Sequence, residues 1–193
     1  MRRVFVIAIV AGLLAASAAG CAGETGAATP PAGATPTADT PAADTEAEVY
    51  VEVLRRYLGT PSDNSFPDRA FATVYLLDQA FPDAGDPSGK LDRGTPIGPD
   101  AQRHITAALA PVTHVAFVAD RNTVIETRKG CPQVRDGGIL ITLGPAIGDD
   151  HEVRVAIYGF VACLGATWLT YVVRNHPGTG WRVTGTTGPK AIA

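Results

Sequence analysis

The C-terminal half of the chain constrains the fold most. There, apolar β-prone runs alternate with short turn-forming clusters. Residues 139–143, 152–163, 167–174 and 181–186 are rich in Val, Ile, Thr, Tyr and Trp, the residues that suit a pleated, half-buried surface. Gly148-Asp149-Asp150, Leu164-Gly165-Ala166 and His176-Pro177-Gly178-Thr179-Gly180 separate them, and such clusters punctuate strands. Val153, Val155 and Ile157 alternate with Arg154, so this strand buries one face and wets the other. Links this short join neighbours antiparallel. The pattern predicts a meander of about 4–6 strands. Gly159 falls inside a long run, where glycine marks a bulge or a sharp bend, so the sheet is expected to be bent.

Helical signals precede the sheet. Thr45-Glu46-Ala47-Glu48 reads as a capping box. Tyr50, Val53, Leu54, Tyr57 and Leu58 then recur at helical spacing. Glu52 and Arg56 are spaced to pair on the wet face, and Gly59 with Pro61 ends the helix. A strand is predicted over 73–77 and a long Gly-, Pro- and Asp-rich loop over 82–99. Gly98-Pro99-Asp100 opens a second helix over 100–110, with Ile105, Ala108 and Leu109 on its buried side. A further strand is predicted over 112–119. Together these give an α+β domain over 45–193: a bent antiparallel sheet with two or three helices packed on one face.

The N-terminus has a different character. Arg2 and Arg3 precede an apolar run over 4–14. That run is shorter than the about 20 residues a spanning helix needs, and it has the size of a secretory core. Small residues fill 15–20, and Cys21 follows. This layout resembles a bacterial lipoprotein signal; Gly20-Cys21 carries the match, while Ala18 stands where such signals usually have Leu. The resemblance implies a signal peptide over 1–20, lipidation of Cys21 with acyl chains such as palmitate, and a protein exported and anchored on the extracytoplasmic side of the cell membrane. The other reading is a soluble secreted protein cut after Ala16-Ser17-Ala18. Residues 21–44 hold Pro30, Pro31, Pro36 and Pro41 among Ala, Thr and Gly. Such a segment buries too little apolar surface to order itself, so a disordered, partly extended tether is expected.

Charge narrows the partners. The chain has 16 basic and 19 acidic residues. Removing the two signal arginines leaves 14 against 19, a net charge of −5. A mildly acidic chain without a basic cluster argues against nucleic acid. Of the three cysteines, lipidation would use Cys21. Cys131 and Cys163 then remain in an oxidising compartment, where an even pair suggests a disulfide. The other reading leaves two unpaired thiols, with Cys163 as a small buried hydrophobe.

Fingerprints of hydrolases, zinc peptidases, phosphate-binding loops and dinucleotide folds are missing from the sequence. No catalytic residue, metal ligand or cofactor is therefore assigned. Asp149-Asp150-His151 offers metal-type ligands but reads first as a solvated turn. Asp78 ends a strand, and a pocket acid is its other reading. Arg128-Lys129-Gly130-Cys131 forms a small basic spot. Trp168 and Trp181 read as core residues, and His104, His114, His151 and His176 are scattered.

Gly137-Gly138-Ile139-Leu140-Ile141-Thr142-Leu143-Gly144-Pro145, Thr170-Tyr171-Val172-Val173 and Gly180-Trp181-Arg182-Val183-Thr184-Gly185 resemble a group of uncharacterised actinobacterial exported proteins and lipoproteins. The scarcity of Lys beside abundant Arg, Ala, Gly and Pro points to the same source. The ending is also similar to nuclear-transport-factor-2-like and cystatin-like domains, in which a hairpin of a bent sheet carries a Trp that closes the core. The strand between the two helices departs from the first of these. The resemblance implies a membrane-anchored lipoprotein with a non-catalytic binding or interaction domain, its partner an envelope protein or a small ligand. A small pocket enzyme of isomerase or hydrolase type and an accessory subunit of an envelope complex are the alternatives.

Overall fold

α1 (Ala43–Gly59) presents Tyr50, Val53, Leu54 and Tyr57 on one stripe, each fully buried. The computed structural model describes residues 43–66 and 70–193; the signal, Cys21 and nearly all of the tether lie outside them. The helix opens at Ala43, with Asp44 and Glu46 in its first turn, where acids suit the helix dipole. Thr45 therefore sits inside that turn, and the expected capping box does not form. The expected Glu52–Arg56 pair is also replaced. Glu52 meets Arg55 at 3.3 Å and Arg182 at 3.6 Å. Arg56 instead turns to Asp63 at 2.8 Å, because the chain folds back after Gly59 into the single turn α2 (Pro61–Asn64).

β1 (Thr73–Leu77) and the short β2 (Gln79–Ala80) follow, then a long loop, β3 (Thr95–Pro96) and α3 (Pro99–Leu109). Pro99 lies in the first turn of α3 after the N-cap Gly98, as Gly98-Pro99 implied. β4 (His114–Val118), a 3-10 turn at Arg121–Thr123, β5 (Ile125–Arg128), β6 (Cys131–Val134), β7 (Ile139–Leu143) and β8 (Ile147–Gly148) come next. The long strands β9 (Glu152–Ala162), β10 (Gly165–His176) and β11 (Gly180–Ile192) complete the chain.

The main sheet runs in the order β11-β10-β9-β7-β1-β4 and curls into a half-barrel. The β5–β6 hairpin and β8 attach to β9, while β2 and β3 form a separate ribbon. The sheet is mixed, which corrects the antiparallel meander. β7-β9-β10-β11 is that meander, but β1 lies parallel to both β4 and β7. The cause is α3: a helical crossover brings the chain back to its starting end, so β4 must run the same way as β1.

Both sheet faces are covered. Val74, Leu76, Ile141, Val155 and Leu169 face α1 and α3. Tyr75, Leu77, Leu140, Tyr158 and Phe160 face the other way and pack with Phe81, Ala84, Val124 and Val134. A strand buried on both faces reads as a continuous apolar run, and every residue of β7 is buried. Each large apolar side chain so buried contributes about 1.5–3 kcal/mol.

Gly159 corrects a second expectation. It pairs regularly with Ile141 and Thr167 and makes no bulge. A Cβ there would lie 1.9 Å from Tyr57 Oη. The glycine makes room for a tyrosine of α1 that reaches Thr167 Oγ1 at 2.5 Å.

Cys131, opening β6, and Cys163, just past β9, stand at disulfide distance with Cα atoms 5.5 Å apart. They fasten the β5–β6 hairpin to the end of β9, where Gln133 and Ala162 provide its single bridge. The bond would close a loop of sequence separation 32, for which chain entropy gives about 3–4 kcal/mol. A Cys131→Ser/Cys163→Ser variant should lose stability of that order in urea. Reductant should destabilise the parent and leave the variant unchanged; equal stability of the two would remove the bond from the account.

Candidate functional site

The β9–β10 register sets Trp168 opposite Tyr158 on the face away from the helices. Their rings stack with centroids 4.9 Å apart and planes 16° from parallel. Trp181, in contrast, is buried in the helix-side core. The two tryptophans, both expected in the core, therefore part ways: Trp168 is only half-buried and lines a cavity.

Over this stack runs the loop after β2. Phe81 N donates to Leu143 O at 2.8 Å and pins the loop to the sheet. Successive turns follow, with Ala84 N on Phe81 O, Asp86 N on Asp83 O and Gly89 N on Asp86 O, each at 3.0 Å. A Cβ at Gly89 would lie 2.6 Å from Asp83 O, so the loop closes this tightly only with glycine there. The Asp86 carboxylate accepts from Ser88 N at 2.8 Å and Ser88 Oγ at 2.7 Å. Those donors hold its carboxyl below the ordinary range, because they stabilise the charged form.

The 3-10 turn supplies the opposite wall. Asp120 caps it by accepting from Asn122 N at 2.8 Å, which sets Arg121 beside Tyr158. Burial pushes the Tyr158 phenol up, and the charge and hydrogen bond of Arg121 oppose that rise. The result is a cavity of about 110 Å³ lined by Asp83, Asp86, Arg121, Tyr158 and Trp168 together with Leu91 and Pro87. It combines an aromatic wall, one guanidinium and two carboxylates.

A larger cleft of about 250 Å³ lies between α1, α3 and the β10–β11 turn. Three of its charged side chains already engage one another. Glu52 is shared by Arg55 and Arg182, and Arg55 Nη2 donates to Ala108 O at 3.0 Å. Asp63 is also committed, accepting from Tyr171 Oη at 3.0 Å and Arg56 Nε at 2.8 Å. It latches α2 to the sheet.

The residues weighed from sequence scatter. Asp149 Oδ1 accepts from His151 N at 2.8 Å and Glu152 N at 3.0 Å, so Asp149-Asp150-His151 is a turn built on its own carboxylate. Among the described residues no three His, Cys, Asp or Glu side chains gather to hold a metal. Arg128 pairs with Glu126 at 2.7 Å. His104, His114 and His176 are exposed on α3, β4 and β10, and His151 is exposed in the turn before β9. Asp78, at the end of β1, has a buried Oδ1 without a hydrogen-bond partner among the described residues. Arg121, Tyr158, Asp83 and Asp86 were missed. Counting outward from the turn after β9 pairs Trp168 with Gly159; only the register shift between Gly165 and Ala166 brings Tyr158 opposite it, and nothing in the sequence places the loop above them.

No protein-family model matches the chain, and no curated protein and no solved structure is similar to it.

Proposed function

We propose that the chain is an exported lipoprotein, tethered through Cys21 to the outer face of the cell membrane, whose α+β domain is a non-catalytic binding module. The observation that carries this reading is the Cys131–Cys163 pair at disulfide distance. Such bonds persist in oxidising compartments, and the pair fits an exported chain whose third cysteine carries lipid. The binding part rests on the aromatic-walled cavity beside Arg121. The curled sheet with helices on one face supports a cystatin-like or nuclear-transport-factor-2-like architecture at the level of the α+β class.

The test is fractionation. A Cys21→Ala variant should leave the membrane fraction and appear in the medium or as uncleaved precursor. Normal processing with unchanged membrane retention would sink the tether. A small pocket enzyme is the second reading, favoured by the buried Oδ1 of Asp78, which has no hydrogen-bond partner among the described residues.

A further inference from the structure

The cavity under the loop after β2 points to a ligand class, resting on the reading of this domain as a binding module. We infer that it takes one ring of a neutral sugar chain, stacked on Trp168 and hydrogen-bonded by Arg121 and the two aspartates.

Charge decides against other ligands. The lining holds one guanidinium, Arg121, and two carboxylates, Asp83 and Asp86. An anion would face both carboxylates, and a cation would face Arg121 across a small cavity. A neutral ligand meets no like charge, yet it must donate to the carboxylates and accept from the guanidinium. Hydroxyl groups do both. A purely apolar ligand would strip water from all three charged groups and return no hydrogen bond.

Shape narrows the class further. The C–H groups on one face of a pyranose ring are weakly positive and lie well against the negative face of an aromatic ring. Trp168 is half-buried and lines the cavity, and Tyr158, stacked against it, braces it. The volume, about 110 Å³, suits a single ring. The cavity opens to solvent, so the rest of a chain can continue outward.

The walls are prebuilt. The tight turns from Phe81 to Gly89 fix the backbone at both aspartates, and the Asp120 cap fixes it at Arg121. The backbone that carries these side chains is set before a ligand arrives, which lowers the ordering cost of binding.

The experiment uses full-length protein in detergent, titrated with maltotriose, cellotriose and chitotriose. Binding is followed by tryptophan fluorescence and calorimetry. Trp181 is buried in the core, so a saturable change reports Trp168. At least one neutral trisaccharide should bind. Trp168→Ala should weaken its calorimetric affinity by about tenfold or more, and Asp83→Asn should weaken it while circular dichroism stays unchanged. Should Trp168→Ala fail to fold, Trp168→Phe keeps a ring and should retain part of the affinity. Deacetylated chitotriose, which is cationic, and triglucuronate, which is anionic, should bind more weakly than the neutral sugars.

Absence of binding by all three neutral sugars would overturn the inference. So would undiminished binding by folded Trp168→Ala, or tighter binding of either charged trisaccharide. The anchor is read separately. Loss of the tether with retained sugar binding sinks only the lipoprotein reading. An anchored chain that binds none of these sugars sinks only the ligand class.

Discussion

Gly159→Ala should cost the domain about 3 kcal/mol, the upper end of what overpacking imposes. The added Cβ would meet Tyr57 Oη at 1.9 Å and Tyr57 Cζ at 2.7 Å. Neither side can give way easily. Gly159 is held between β7 and β10 by ladder pairs on both sides. Tyr57 is fully buried, and its hydroxyl is bonded to Thr167 Oγ1, whose residue is also fully buried. For a domain of this size such a loss lowers Tm by about 10 °C. A cycle with Tyr57→Phe identifies the cause. Removing Oη takes away the closest contact, so the double variant should be more stable than the two separate losses predict. The recovery should be partial, because Cζ still crowds the site and Thr167 Oγ1 loses its partner. Additive losses, or a Gly159→Ala domain that melts with the parent, would place the reason for the glycine elsewhere.

That glycine marks where sequence reasoning stops. Position 159 looked like a bend because a glycine inside a strand weakens it. The actual cause is a side chain about a hundred positions away on α1, which no local pattern records. The parallel pairing of β1 was hidden for a related reason. The run from Thr73 to Leu77 reports burial, and burial is blind to strand direction; direction came from the crossover through α3. The strands β7, β9 and β10 were legible because their apolar runs are long and their links short. The β5–β6 hairpin was not, because Arg128-Lys129-Gly130-Cys131 reads as a basic loop. Lys129 and Gly130 adopt φ of 52° and 80°, the paired positive angles of a tight two-residue hairpin turn, but Lys gives a weaker signal there than Asn. The cavity was not legible. Trp168 read as a core residue, and Asp83, Asp86 and Arg121 come to it on a loop and a 3-10 turn whose course depends on contacts such as Phe81 N to Leu143 O.

Raising the pH past 10 should unfold the domain steeply, because three fully buried tyrosines, Tyr50, Tyr57 and Tyr171, oppose ionisation. Burial is the largest cause of the upward shift in each. The charge and hydrogen bond of Glu46 add to it at Tyr50, and those of Asp63 add to it at Tyr171. At Tyr57 the hydrogen bond with Thr167 works the other way without cancelling the rise. The ordinary phenol value is 10.0. Below it both folded and unfolded chains keep these protons, and stability is unaffected. Above it the unfolded chain releases them and the folded chain does not, so stability falls as pH rises. Each group contributes about 1.4 kcal/mol per pH unit, and the three together about 4. A domain stable by about 5–15 kcal/mol cannot sustain that slope for more than a few pH units. Tyrosinate absorbance and loss of circular dichroism should therefore appear in one cooperative step. Tyr171→Phe should reduce the slope by about one third in a series of urea titrations above pH 10, whatever it does to stability at neutral pH. If these tyrosines ionise near pH 10 while the circular dichroism holds, the sheet's interior is open to hydroxide, and the close fit of α1 against β9 and β10 is wrong.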